Sequence, residues 1–115
     1  MIMLIENNED DMKKLKRYVM QCYPDRKLVL FNNPQQALDY IRSNALTVTM
    51  CFTEVVMPEV SGFRIAGELR SRSKRSKIVF VCDTPDYAAD AWQYGVNDYL
   101  LKPVSAEKVR HTQKL

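Results

Sequence analysis

The chain has 115 residues, 46% hydrophobic and 27% charged, which is enough apolar side chain for one packed core and too little length for two. Such a composition excludes a disordered segment, a collagen-like repeat and a disulfide-rich miniprotein. The net charge of +3 is mild, the single histidine, His111, rules out a multi-histidine metal site, and Cys22, Cys51 and Cys82 lack C-x-x-C spacing and read as thiols of a reducing compartment.

The first apolar run, Ile2 to Ile5, has strand length and falls far short of the ~20 residues of a membrane span. It leads into Glu6-Asn7-Asn8-Glu9-Asp10-Asp11, acid placed where a helix N-terminus favours it, and Met12, Leu15, Val19 and Cys22 then keep helical spacing. A second strand at 28–31 precedes Asn33 as N-cap and Pro34 at the first helical position, with Leu38, Ile41 and Ala45 on the apolar face. A third strand is expected at 48–52, and Gly62, Ile65, Ala66 and Leu69 mark a third helix. The basic run from Arg70 to Lys77 that follows reads as a solvated helix end and loop. A fourth strand at 78–82 leads to a helix expected to start at Thr84-Pro85 and stop at Gly95, packing Ala88, Ala91 and Trp92. A fifth strand at 99–101 is followed by a helix opening near Ser105 with a thin face of Ala106 and Val109.

Most of these runs are apolar at consecutive positions, the mark of parallel strands covered on both faces. Strand and helix alternate throughout, which predicts an α/β, doubly wound, five-stranded parallel sheet. Ligands of such sheets bind beyond the carboxyl ends of the strands. Those ends carry Glu6 and Asn7, Glu54, Cys82 and Asp83, and Lys102-Pro103. Acids converging on a lysine suit a divalent cation and a phosphoryl group, because hard cations take carboxylate oxygen and lysine neutralises phosphate. The three glycines form no phosphate loop, and a hydrolase triad would have to draw His111 from the last helix, so nucleotide binding and hydrolysis are set aside.

The strings ENNEDD, TEVVMPEVSG, FVCDTPDYA and YGVNDYLLKP, spread over nearly the whole chain, resemble the receiver domain of bacterial two-component response regulators. The last string is most similar to receivers that precede a LytTR-type DNA-binding domain. The resemblance implies a flavodoxin-like (βα)5 fold, one domain over residues 1–115 with a C-terminal effector domain beyond it, a cytoplasmic setting and signalling rather than enzymatic turnover. It places the phosphoacceptor at Glu54, the magnesium-binding acid pair at Glu6 and Asn7, the hydroxyl switch position at Cys82, the aromatic switch at Tyr99, the phosphate-contacting lysine at Lys102 before a cis Pro103, and a small residue at Asp83.

Three of the five positions of the phosphoryl chemistry depart from the family pattern, and so does Asp83. Glu54 is longer than aspartate by one bond, about 1.5 Å, and in-line transfer is sensitive to displacements of about 1 Å. Asn7 removes a charge from the cation site, which leaves Glu6 and Glu54 to hold magnesium weakly or not at all. Cys82 offers a feeble S–H donor in place of a hydroxyl, and Asp83 adds charge and bulk. The expected arrangement is one shallow pocket holding Glu6, Glu54, Asp83 and Lys102, with Glu54 on Lys102 imitating part of a phosphorylated state. The expected function is an atypical receiver that is not phosphorylated and acts through protein contacts; the other reading is an active phosphoacceptor served by a histidine kinase and magnesium. The expected partners are the effector domain and, weakly, a second copy paired through the fourth helix, fifth strand and fifth helix, where Trp92, Tyr94 and Tyr99 lie. Neither nucleic acid nor membrane is expected to bind this domain.

Overall fold

A computed structural model describes residues 1–115. Five strands, β1 (Ile2–Ile5), β2 (Leu28–Phe31), β3 (Met50–Glu54), β4 (Lys77–Cys82) and β5 (Asp98–Leu101), form one parallel sheet in the order β2-β1-β3-β4-β5. Between and after them run α1 (Glu9–Cys22), α2 (Pro34–Asn44), α3 (Gly62–Arg72), α4 (Ala88–Gln93) and α5 (Ala106–His111). The doubly wound sheet expected from the alternation is therefore present. No helix is long and apolar enough to cross a membrane.

Because side chains alternate across a strand, each strand feeds two cores. Met3, Ile5, Cys51, Ile78 and Phe80 face Leu38 and Ile41 of α2, Ile65 and Leu69 of α3, and Ala91 of α4. On the other face Ile2, Leu4, Phe52, Val79 and Val81 meet Leu15 and Val19 of α1 and Val109 of α5. Each large aliphatic side chain so buried contributes roughly 1.5–3 kcal/mol, and burial pushes the Cys51 thiol up to about 12. Side-chain caps fix where helices begin: Asn8 accepts from the Asp11 amide, Asn33 from Gln36, Ser61 from Arg64 and Ser105 from Lys108.

Five local expectations are corrected. β3 runs two residues past the apolar stretch, because Thr53 and Glu54 continue the ladder opposite Phe80 and Val81. α4 begins at Ala88 rather than Thr84, whose hydroxyl accepts from the Asp86 amide and closes a tight turn instead of capping the helix. Trp92 is 54% exposed, so Ala91 alone carries the packed face of α4, and Cys22 is only partly buried. The basic run is not wholly solvated either. The Arg70 guanidinium donates to the carbonyls of Ser73, Lys74, Ser76 and Gly95 and to Asn97 Oδ1, tying the end of α3 to the loop before β5.

The link from β3 to α3 controls the site's geometry. Gly62 donates its amide to the Val55 carbonyl at 2.8 Å. A Cβ there would lie 2.4 Å from the Glu54 carbonyl oxygen and 2.9 Å from Val55 Cα, both backbone atoms that cannot swing aside. Gly62→Ala is thus expected to destabilise the fold by about 1–3 kcal/mol, read as a lower urea midpoint at unchanged slope.

Candidate functional site

The order β2-β1-β3 places the carboxyl ends of β1 and β3 side by side where the winding reverses, and Glu6 and Glu54 project there. Lys102 follows β5, and its Lys102-Pro103 bond is cis, as the resemblance implies. The Lys102 Nζ lies 2.8 Å from Glu6 Oε1, 2.5 Å from Glu54 Oε2 and 2.8 Å from Asp11 Oδ2. The side chains are 15% exposed for Lys102, 2% for Glu6 and 6% for Glu54, so these charges interact with little help from solvent.

The remaining carboxylate oxygens are also committed. Glu54 Oε1 accepts from the Val55 amide at 2.9 Å and the Val56 amide at 3.3 Å, so its longer arm folds back over its own turn. Glu6 Oε2 accepts from the Asn8 amide at 3.1 Å. That contact explains Asp11, which the sequence did not single out for the site. Asp11 occupies the third position of α1, where an acid ordinarily reaches back to the N-cap amide. Since Glu6 already satisfies the Asn8 amide, the Asp11 carboxylate is free to reach Lys102. The detectable signal was an Asn N-cap followed three residues later by an acid, with a second acid just ahead of the cap.

Two expected members do not join this group. Asp83 was expected in the pocket but is exposed, lying one residue beyond the end of β4 where no helix covers it; its contact is Cys82 Sγ at 3.9 Å. Asn7 is exposed at the rim. A hollow of about 480 Å³ beside the site is bordered by Glu6, Asn7, Lys13 and Lys16 and by neither Glu54 nor Lys102. Pro103 is exposed.

Three carboxylates around one ammonium set the ionisation. Burial opposes the charge on Lys102, but hydrogen bonds to Asp11, Glu54 and Glu6 outweigh it and raise its pKa. Burial raises Glu6 above its ordinary value, only partly offset by Lys102 and the Asn8 amide. Burial likewise pushes up the Cys82 thiol and the Tyr99 phenol. The Tyr99 hydroxyl donates to the Thr84 carbonyl at 2.6 Å, and its ring packs against Phe80.

A divalent ion does not fit this donor set. The oxygens of Glu6 and Glu54 that face the site centre are taken by an ammonium, the position of the missing second acid is an exposed amide, and no group of three His, Cys, Asp or Glu side chains could hold a metal ion.

A doubly wound parallel sheet with carboxylates and a lysine at its switch point defines a flavodoxin-like domain of the receiver class. Residues 2–114 match the response regulator receiver domain, and the chain belongs to that family, the receiver module of two-component signalling. It is 24% identical over 106 residues to the transcriptional regulatory protein NatR of Bacillus subtilis, covering 92% of this chain and 45% of that protein. It is 35% identical over 71 residues to a response regulatory protein of Vibrio vulnificus, covering 62% of this chain and 29% of that one. The chain spans less than half the length of these curated relatives. Among solved structures, the response regulatory domain of mrkE from Klebsiella pneumoniae superposes with a TM-score of 0.87 at 22% identity, covering 100% of this chain and 94% of that one. The Vibrio cholerae chemotaxis protein CheY4 gives 0.82 at 15% identity, covering 98% and 94%.

The raised Glu6 pKa has a sign that can be measured. The folded state holds this proton more tightly than the unfolded state, so the Glu6 contribution is full below its ordinary 4.5 and is lost as pH rises through the raised value. Lys102 does not interfere, since its contribution persists up to its ordinary 10.5 and is lost only above it. The difference in thermal midpoint between the unmutated protein and Glu6→Gln is therefore expected to shift in favour of Glu6→Gln as pH rises from 4.5 toward neutral.

Proposed function

We propose that this domain is an atypical receiver, not phosphorylated at Glu54, that acts through protein contacts on an output domain carried elsewhere in a longer protein. The observation that carries this reading is the double engagement of Glu54, one oxygen on Lys102 and the other on its own backbone amides. An acceptor must present a free oxygen in line with the incoming phosphorus, and this carboxylate is turned back from that approach. Its charge already lies against Lys102, the group that would otherwise meet a phosphoryl oxygen, with less charge than a phosphoryl group carries.

The output domain is drawn from the longer relatives. NatR is a transcriptional regulatory protein of which this chain matches under half, which supports a DNA-binding effector, here of LytTR type, while the receiver itself does not touch nucleic acid. Three free cysteines, Cys22, Cys51 and Cys82, suit a cytoplasmic setting. Weak pairing of two copies through α4, β5 and α5 is supported by exposed Trp92 and Leu101 in those elements, whereas Tyr94 packs against Phe63 of α3. Sedimentation is expected to show a monomer–dimer equilibrium at high concentration, and a strict monomer counts against this pairing.

Incubation with a small acyl phosphate and magnesium, followed by intact mass measurement, tests the central reading. No phosphoryl adduct is expected; a magnesium-dependent adduct on Glu54 would establish the active phosphoacceptor served by a histidine kinase. Glu54→Asp alone is expected to remain inert. The triple change Glu54→Asp, Asn7→Asp, Cys82→Thr rebuilds acceptor, acid pair and hydroxyl together and is expected to take up phosphate, with gains that are not additive. Asp83 adjoins Cys82 Sγ at 3.9 Å, so changing it to alanine as well is the fourth substitution to make if the triple change stays inert.

A further inference from the structure

We propose that Lys102 is the resident cation of this site, kept there by Asp11 as a positioning residue, and that its ammonium excludes the divalent ion used by receivers. The inference deepens the phosphate-free reading above and rests on it. Carboxylate oxygens of Glu6, Asp11 and Glu54 lie at 2.8, 2.8 and 2.5 Å around a single point, the Lys102 Nζ. Hard cations bind carboxylate oxygen at about 2.0–2.6 Å, so an ion using Glu6 and Glu54 would have to take the place the ammonium holds. Their other oxygens are held by the amides of Asn8, Val55 and Val56, so turning either carboxylate toward an ion elsewhere would break those bonds.

Asp11 makes the ammonium hard to displace. Glu6 and Glu54 alone would give Lys102 two partners, both of which an incoming ion also needs. Asp11 supplies a third from α1, and it is spared from capping its own helix by the Glu6–Asn8 contact. Its neighbour Asp10 sits in the same first turn but is exposed and makes no contact with Lys102. The pair therefore separates a charge effect on the helix terminus from a specific hold on the lysine.

Amine labelling of the folded protein, read lysine by lysine by mass spectrometry, tests this without altering the chain. Lys102 is expected to label at least tenfold more slowly than exposed Lys13, with no change in millimolar magnesium. In Asp11→Asn, Lys102 labelling is expected to rise severalfold and to rise again with magnesium, whereas Asp10→Asn leaves it unchanged; circular dichroism checks that both variants stay folded. Lys102 labelling as fast as Lys13, acceleration by magnesium in the unmutated protein, or equal effects of Asp10→Asn and Asp11→Asn each overturn the proposal. Magnesium-driven exposure of Lys102 without a phosphoryl adduct refutes the resident cation and spares the phosphate-free reading. An adduct formed while Lys102 stays shielded does the reverse.

Discussion

A single ammonium group sets the arrangement of the carboxyl end of this domain. Lys102 reaches from the loop after β5 across to the ends of β1 and β3 and to the first turn of α1, joining segments 48 to 96 residues away in sequence through three charged contacts. Buried carboxylates are costly to leave unpaired, and removing one partner of a buried ion pair typically costs about 3–5 kcal/mol, the size of a domain's smaller stability margins. Glu6 and Glu54 are tolerable inside only because the lysine and several backbone amides complete their coordination. The rest of the fold brings these groups to one point.

The parallel sheet favours acid at this end for a second reason. Every helix runs antiparallel to the strands, so the amino ends of the helices gather around the strand termini where Glu6 and Glu54 lie, and their partial positive charge favours carboxylates. Glu9, Asp10 and Asp11 occupy the first turn of α1, while Arg70 and Arg72 occupy the last turn of α3 and Arg42 that of α2. Arg42 and Arg72 are both engaged by Glu68, and Arg70 by backbone carbonyls. Arg70 and Arg72, the first two basic residues of the charged run, thus answer backbone carbonyls and one shared acid.

What the sequence made legible followed from chain-local rules. Consecutive apolar residues such as Ile2 to Ile5 identify a strand covered on both faces, and Asn33-Pro34 marks a helix start; both are decided by neighbours in sequence. The end of β3 was obscured because Thr53 and Glu54 are polar, yet their place in the ladder comes from β4 and β1. The start of α4 was obscured because Thr84-Pro85 fits a tight turn as well as a cap, and the Tyr99 hydroxyl bond to the Thr84 carbonyl belongs to the turn. Glu6, Glu54 and Lys102 could be read as candidates from their places after strands. Asp11 carried only the indirect signal of an acid three residues after an Asn cap, because its availability depends on a hydrogen bond made by Glu6. Asp83 was misplaced by sequence adjacency to Cys82, although the strand and its covering layers end at Cys82.

The extra methylene of Glu54 is accommodated without altering the turn that carries it. With Gly62 holding α3 directly against the backbone of Glu54 and Val55, the start of the β3–α3 turn cannot shift to accommodate a longer side chain. The added length must be absorbed by the side chain itself, which curls so that one oxygen meets the Val55 and Val56 amides and the other meets Lys102. A shorter aspartate at this position would have less reach to satisfy both ends at once. The same rigid turn therefore leaves the side chain of Glu54 to close on Lys102 and on its own backbone amides, with the β3–α3 connection unchanged.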